Sequence, residues 1–216
     1  TTEKLSHKQA GDYLQDFVGP LGVPTHTEGK KKVCVVGGGV GCAIAYPVLK
    51  KFHDCGAEVH AVVGFKNKDV VILEDKFKAV SSVLKVCTDD GSYGEKGLVT
   101  NKLKELIDAG NEYDAVFAIG PVIMMKFACE LTKKLGIHTI ISMNTIMVDG
   151  TGMCGACRLL VGGEVKFACV DGPEFDGHKV DFAELMKRNS VYRGREAEVT
   201  EKHACRMDAM GKALIK

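Results

Sequence analysis

One stretch near the start of the chain, residues 33–52, constrains the fold more than any other. Val33–Val36 is a short apolar run typical of a buried strand, and Cys42–Phe52 has the apolar spacing of a helix. Between them lies a turn made almost entirely of glycine: Gly37, Gly38, Gly39, Val40 and Gly41. A strand, a glycine turn and a helix in this order place helix N–H groups and the positive end of the helix dipole where a phosphate can bind.

The glycine turn predicts a nucleotide site, but its spacing departs from the best-known patterns. Counted from Gly37, the last position of a G-x-G-x-x-G motif is occupied by Cys42. The Lys-Ser/Thr pair of a P-loop is also missing, which argues against a nucleotide triphosphatase. The alternative interpretation is a glycine-rich turn between strand and helix that binds no ligand.

Strands and helices then alternate along the chain. Further strands are predicted at Glu58–Val63, Ser82–Cys87, Asp114–Ile119 and His138–Ser142, and helices at Lys68–Phe77, Leu98–Ala109 and Val122–Leu135. This order predicts an α/β domain with a doubly wound, five-stranded parallel sheet. Ligands of such sheets bind outside the carboxyl ends of the strands.

Two further loops fall at predicted carboxyl ends and are expected to complete the nucleotide site. They contribute Asp89, Asp90, Gly91 and Ser92 in one loop and Gly120 and Pro121 in the other. The acidic residue expected after the second strand of a dinucleotide site is absent. Lys66 or Lys68 could meet a 2′-phosphate there, so the choice between NAD and NADP stays open.

The second informative stretch is a cysteine pattern, D-x4-C-x2-C-x11-C, that runs from Asp149 through Cys154 and Cys157 to Cys169. Two cysteines two residues apart can bind one metal site from a single turn, and the neighbouring glycines let the backbone fold around it. Iron–sulfur or zinc chemistry is the leading interpretation. The alternatives are three buried apolar cysteines and a closed zinc site of these cysteines with His178.

Composition excludes several classes of function. The net charge of +1 gives no reason to expect nucleic acid or an anionic membrane as a partner. No apolar run approaches the roughly 20 residues that a membrane span needs, and the N-terminus does not resemble a signal peptide. Nine scattered cysteines favour the reducing cytoplasm and a metal site over a disulfide scaffold.

The two ends of the chain are less informative. Residues 1–30 do not form a domain pattern, and the apolar fragment Tyr13–Val18 resembles a last strand followed by an exit loop. Asp181–Arg188 is predicted to be helical, and residues 190–216 are charged and compatible with helix. His203 and Cys205 in this tail are weak candidates for metal ligands.

Taken together, these motifs resemble a known family. The chain is similar to the small, electron-transferring subunit of NADH-dependent ferredoxin:NADP oxidoreductases and the related sulfide dehydrogenase, and more distantly to the electron-transfer subunit of two-protein dihydroorotate dehydrogenases. Besides the motifs above, the resemblance depends on Gly19-Pro-Leu21-Gly22, on Met124 after Gly120-Pro121, and on Cys169–His178.

The resemblance implies a ferredoxin-reductase-like fold with three parts. Residues 1–30 would be the remnant of an FAD-binding barrel, most of which this chain would lack, residues 31–143 an NAD(P)-binding domain and residues 144–216 a [2Fe–2S] module. It implies FAD contacts at Gly19, Leu21 and Gly22, and nucleotide contacts at the three glycine-containing loops and Met124. It also implies cluster ligation by Asp149, Cys154, Cys157 and Cys169.

The implied function is electron transfer between NAD(P)H, FAD and the [2Fe–2S] cluster, without acid–base catalysis by the protein. The implied partner is a larger flavoprotein or iron–sulfur subunit, with ferredoxin reached through the complex. Two rival hypotheses remain: a zinc-stabilised nucleotide-binding module without redox activity, and a regulatory protein that uses the nucleotide fold as a sensor.

Overall fold

The computed structural model describes residues 5–200 of the chain. Nine strands are assigned: β1 Lys32–Gly38, β2 Glu58–Phe65, β3 Val83–Thr88, β4 Glu95–Lys96, β5 Ala115–Ile119, β6 Thr139–Ser142, β7 Arg158–Val161, β8 Glu164–Phe167 and β9 Glu174–Asp176. The main helices are α1 Gly41–Asp54, α2 Glu74–Val80, α3 Val99–Asp108, α4 Val122–Lys134 and α5 Phe182–Asn189. Residues 193–200 are also helical.

The centre of the fold is a seven-stranded sheet with the order β4-β3-β2-β1-β5-β6-β9. All neighbours in it are parallel except β6 and β9, which pair antiparallel. The five predicted parallel strands are therefore confirmed. Short strands β4 and β9 extend the two edges, and neither carries a pattern long enough to be recognised in the sequence.

Helices cover both faces of the sheet, which is what a doubly wound sheet requires. One core contains apolar side chains of α1 and α2, including Leu49, Phe52 and Phe77, packed against β1, β2 and β5. The other core contains Leu103 from α3 and Met125 from α4. The strands between these layers are almost continuously buried, so they appear in the sequence as unbroken apolar runs.

The prediction of one continuous helix over Lys68–Phe77 is wrong. The structure has a short 3₁₀ turn at Lys68–Val70 and a separate helix, α2, that begins at Glu74. Leu73 lies between the two elements and has a left-handed φ of 61°. A helix interior does not accommodate this backbone conformation. The Asn67 side chain accepts the Asp69 N–H at 3.1 Å and so caps the first turn separately.

The predicted strand at Tyr13–Val18 is also not formed. These residues are irregular, and Tyr13 and Phe17 are 91% and 92% exposed. In the described part of the chain no neighbouring strand pairs with them, and an isolated strand has no partner for its backbone groups. This N-terminal segment is hydrogen-bonded to the rest of the fold further along the chain, where the Val23 N–H donates to the Gly172 carbonyl at 2.6 Å.

The cysteine-containing segment is joined to the sheet through a shared core. It consists of the β7–β8 hairpin, β9 and α5, and β9 pairs directly with β6. Buried Leu159 and Leu185 belong to the same apolar cluster as Met125 of α4 and Ile141 of β6. Within residues 5–200, none of the helices is long and apolar enough to cross a membrane.

Candidate functional site

The glycine turn follows β1 at the carboxyl edge of the sheet. Gly41 begins α1, and a β-carbon on it would lie 2.5 Å from the Ile119 carbonyl oxygen, so only glycine allows α1 to start this close to β5. Gly39 has a φ of +54°, which glycine adopts without strain. α1 has no acidic residue in its first turn and no side-chain cap, so nothing within it neutralises the positive end of its dipole.

Two cavities open on either side of this turn and share Gly38, Gly39 and Pro121. The first encloses about 300 Å³ at the ends of β1, β2 and β3, and its polar side chains are Lys66 and Asp89. The second encloses about 390 Å³ at the ends of β1, β5 and β6. A ligand with two halves joined by a phosphate bridge would fit this pair of cavities, with the bridge over the glycine turn.

The structure brings most of the predicted nucleotide residues to these cavities. Gly38, Gly39, Asp89, Pro121 and Met124 line the first, and Gly38, Gly39, Val40, Gly41, Gly120 and Pro121 line the second. Gly37 lies outside both. A β-carbon on Gly37 would lie 2.8 Å from the Cys42 sulfur, so this glycine serves the packing of α1 on β1.

The remaining loop residues shape the site without lining it. The Asp90 carboxylate accepts the Ser92 N–H at 2.9 Å and the Ser92 hydroxyl at 2.7 Å, and Gly91 has a φ of +77°. The Ser92 hydroxyl in turn accepts the Lys68 N–H at 2.8 Å. The bond from Lys68 connects the loop after β2 to the loop after β3, and the bonds to Asp90 hold Ser92 in position.

Apart from Lys66, which the sequence suggested as a possible contact for a 2′-phosphate, the other residues of the cavities were not predicted from the sequence. The first is also lined by Gly64, Phe65, Lys66, Gly97, Leu98, Val99 and Ile123, and the second by Ile44, Ile119, Ser142, Met143 and Asn144. Gly64 and Ser142 lie at strand ends, so the carboxyl-end rule would have found them. The apolar residues carry no signal of their own.

The four predicted cluster ligands lie on one loop and the hairpin that follows it. The Cys157 and Cys169 sulfurs are 3.3 Å apart and buried. The Asp149 carboxylate accepts the Thr151 N–H at 2.6 Å and the Cys154 N–H at 2.8 Å, and the nearby Cys154 side chain helps to lower the pKa of the carboxyl. The four side chains therefore form two pairs, of which the Cys154 pair is exposed.

Hydrogen bonding, burial and charge shift the pKa values of one member of each pair, Asp149 and Cys169. Backbone N–H groups, first that of Thr151 and then that of Cys154, hold the pKa of the Asp149 carboxyl below its ordinary value. Burial raises the pKa of the Cys169 thiol, the Cys157 thiol adds to this shift, and the Asp149 charge contributes further. A metal that binds here must displace the thiol protons, so loading is expected to be stronger at higher pH.

The other buried cysteines belong to the apolar core. Burial raises the pKa of Cys34, Cys42 and Cys129 to about 12 and that of Cys87 to about 11. These groups are therefore neutral thiols at physiological pH, and thiolates are the form that binds metal.

The alternative zinc site with His178 is not assembled. The His178 Nε2 atom lies 3.1 Å from the Thr132 hydroxyl of α4, and Thr132 also bonds Thr139. Among residues 5–200, no three His, Cys, Asp or Glu side chains are placed to hold one metal ion. A two-iron cluster shares four protein ligands between its irons, so it matches two pairs better than a single zinc ion does. His203 and Cys205 lie outside the described residues.

The spacing of the four residues gives a second test of fit. Plant-type [2Fe–2S] proteins space their first three ligands as C-x4-C-x2-C, with the fourth cysteine further along. Asp149, Cys154 and Cys157 have the same spacing, with aspartate in the first position. The spacing and the pairing therefore both fit the iron–sulfur interpretation of the sequence pattern.

Comparison with known proteins gives independent support. Residues 144–181 match the family model of the iron–sulfur cluster binding domain of dihydroorotate dehydrogenase B. A protein from the adh 3′ region of Clostridium beijerinckii is 52% identical over 205 residues, which cover 91% of this chain and 69% of that protein. The dihydroorotate dehydrogenase B (NAD(+)) electron transfer subunit homolog of Thermotoga maritima is 50% identical over 196 residues, again 91% and 69% of the two chains.

The fold agrees with a solved relative. A chain from the structure of an NADH-dependent reduced ferredoxin–NADP oxidoreductase superposes with a TM-score of 0.85 at 47% identity. The match covers 94% of this chain and 73% of that chain. The fold, the glycine loops and the cysteine segment therefore agree with the comparisons. The chain belongs to the family of dihydroorotate dehydrogenase B electron transfer subunits and their homologues, which are oxidoreductase subunits that carry an iron–sulfur cluster binding domain.

Proposed function

We propose that this chain transfers electrons between NADH, FAD and a [2Fe–2S] cluster held by Asp149, Cys154, Cys157 and Cys169. The observation that carries the proposal is the pairing of these four residues, with the Cys157 and Cys169 sulfurs 3.3 Å apart and the Asp149 carboxylate accepting the Cys154 N–H at 2.8 Å. A bound cluster of this type accepts and releases one electron at a time. The cysteines would supply thiolates and Asp149 a hard oxygen ligand.

The two cavities support a dinucleotide as the other reactant. The pyrophosphate would lie over Gly38 and Gly39, near the uncapped start of α1. The first cavity, with Lys66 and Asp89, suits the adenosine half because its polar side chains can meet a ribose. The second, beside Asn144 in the loop that leads to the cysteine segment, suits the nicotinamide half.

We further propose that Asp89 makes the site selective for NADH over NADPH. The acid missing after β2 is supplied by the next strand of the sheet, because Asp89 follows β3 and lines the first cavity. A carboxylate accepts hydrogen bonds from ribose hydroxyls and repels a 2′-phosphate. The dihydroorotate dehydrogenase B relative is named for NAD(+), whereas the solved relative is named for both NADH and NADP, so the proposal depends on the position of Asp89.

Replacing Asp89 with asparagine tests this selectivity. Loss of a charged acceptor is expected to weaken NADH binding about tenfold to a hundredfold and to narrow the preference for NADH over NADPH, since such a bond contributes roughly 1.5–3 kcal/mol. Calorimetric titration of the chain with each nucleotide measures both affinities. Asp69→Asn is the matched control, because Asp69 is exposed and does not line the cavity. An Asp89→Asn chain with the affinity ratio of the control would contradict the assignment.

Flavin binding is proposed at the segment of Gly19, Leu21 and Gly22. This segment lies against the cysteine module: a β-carbon on Gly22 would fall 2.2 Å from the Gly172 carbonyl oxygen, and the Leu21 side chain approaches Gly150. FAD held here would neighbour the cluster loop, as a short electron path requires. The relatives are electron transfer subunits by name, so we also propose a larger flavoprotein subunit as partner, with ferredoxin as an acceptor through that complex.

A further inference from the structure

Two arginines engage the loop between Cys154 and Cys157. The Arg158 Nη1 atom donates to the Gly155 carbonyl at 3.1 Å, and the Arg188 Nη2 atom donates to the Ala156 carbonyl at 3.2 Å. The carbonyls of both residues between the two cysteines, Gly155 and Ala156, therefore accept a hydrogen bond from a guanidinium. Hydrogen bonds from charged donors are roughly twice as strong as neutral ones.

The Arg158 contact continues to a sulfur atom. The peptide group whose carbonyl accepts from Arg158 is the one between Gly155 and Ala156. The N–H of that same peptide group, on Ala156, lies 3.4 Å from the Cys154 sulfur. A positive charge on the oxygen side of a peptide polarises it and strengthens the bond that its N–H donates. Arg158 thus acts on Cys154 through one peptide group.

Arg188 is held in place by its helix. The Asp181 carboxylate caps α5 by accepting the N–H groups of Ala183 and Glu184, both at 3.0 Å. Leu185 is buried in the core, so the side of α5 that carries Leu185 faces the core and the rotation of the helix is fixed. Arg188 is only 22% exposed, and its Nε atom lies 3.7 Å from a Glu184 carboxylate oxygen. The other Glu184 oxygen is buried and has no hydrogen-bond partner among the described residues.

We propose that Arg158 and Arg188 are positioning residues that raise the reduction potential of the cluster bound at this loop. The inference rests on the proposed function. Reduction adds one negative charge to the cluster, so nearby positive charge and hydrogen bonds to sulfur favour the reduced form. Glu184 opposes this effect, because its carboxylate partly offsets the charge of Arg188. The two arginines also order the loop before any metal binds.

The test measures the midpoint potential of the loaded chain by an EPR-monitored redox titration. Arg158→Gln and Arg188→Gln are each expected to lower the equilibrium constant for reduction by about threefold to tenfold. A tenfold decrease corresponds to a potential about 59 mV more negative for a one-electron couple. Glu184→Gln is expected to shift the potential in the opposite direction. Arg→Lys variants, which keep the charge, should lie closer to the wild type than the glutamine variants.

Lys187→Gln is the matched control. It makes the same charge change on the helix that carries Arg188, but Lys187 is exposed and its ammonium group forms no hydrogen bond or ion pair within residues 5–200. Potentials of Arg158→Gln and Arg188→Gln equal to that of the control would overturn the inference, as would Glu184→Gln moving in the same direction as Arg188→Gln. If an Arg→Gln chain fails to retain iron, Glu184→Gln decides: its potential should be more positive than that of the wild type, and a potential equal to or below the wild-type value would overturn the inference.

A metal-free readout tests the ordering of the loop. In the apo chain, Arg158→Gln should speed amide hydrogen exchange at Ala156 several-fold relative to Lys187→Gln, because the polarised peptide loses its charged partner. Unchanged exchange would contradict the ordering role. A wild-type chain that binds no iron–sulfur cluster would instead mean that the proposed function itself has failed, so the two failures are distinguishable.

Discussion

Replacement of Cys157 by serine is expected to reduce the iron content of the chain to about a tenth or less, because a neutral hydroxyl is a poor substitute for a thiolate ligand. Cys157 is 2% exposed and its sulfur lies 3.3 Å from that of Cys169, so the change removes one member of the buried pair. Serine is close to cysteine in size, and the core around Leu159 should remain packed. Iron and sulfide analysis with visible absorption measures the loss.

Nucleotide binding should survive this change, although the two sites share a core. The cavities beside Gly38 and Gly39 receive no side chain from residue 157, so affinity for NADH is expected to stay within about threefold. Cys55→Ser is the control, because Cys55 is exposed and lies at the end of α1. Full iron retention in Cys157→Ser would remove this residue from the ligand set. Loss of nucleotide binding would show that the cluster segment supports the sheet.

The second large effect is expected at Gly41. An alanine there would place its β-carbon 2.5 Å from the Ile119 carbonyl oxygen and 2.7 Å from the Gly120 α-carbon. Both atoms belong to the backbone, so no flexible side chain can move away and α1 must separate from the end of β5. We expect the free energy of unfolding to fall by about 2–4 kcal/mol and nucleotide binding to weaken at least about tenfold.

Denaturant unfolding followed by circular dichroism measures the stability of Gly41→Ala. Gly194→Ala is the control, since Gly194 has open space around its β-carbon position and lies in the helical residues 193–200. Alanine favours helix over glycine by about 1 kcal/mol, so the control should be as stable as the wild type or more stable. Equal unfolding free energies for the two variants would contradict the close approach of α1 to β5.

The sequence predicted the parallel sheet well because its strands are buried on both faces. Runs such as Val33–Val36 and Ala115–Ile119 need no alternation and stand out as apolar segments between turns. The 3₁₀ turn and α2 were merged into one helix because the break depends on Leu73 adopting a left-handed conformation. The Leu73 side chain packs against the apolar cluster of α1, α2 and the sheet, and the residues around it carry no turn signal.

The candidate site was predictable where glycine is required and less so where contacts come from distant segments. Gly39 and Gly41 are explained by φ and by close approach, and both are visible in the sequence. The role proposed for Asp89 depends on β3 lying beside β2, which the strand order decides. Arg188 contacts Ala156 across 32 residues, and an arginine on a helix gives no sign of such a contact in one sequence.

The proposed assignment of Asp149 as a ligand depends on the loop around it. Its carboxylate bonds Thr151 and Cys154 within five residues, so local spacing alone brings these groups together. The pairing of Cys157 with Cys169 instead requires the β7–β8 hairpin, whose turn contains Gly162 and Gly163. The eleven residues between Cys157 and Cys169 are enough for this hairpin, but their spacing alone does not specify it.

The most direct test of the central claim is an anaerobic visible and EPR spectrum of the chain before and after dithionite, with iron and zinc quantified. The cluster assignment predicts visible bands that bleach on reduction, an EPR signal of the reduced state and about two irons per chain. Stoichiometric zinc without visible absorption, or failure to bind iron after anaerobic reconstitution with iron and sulfide, would contradict it.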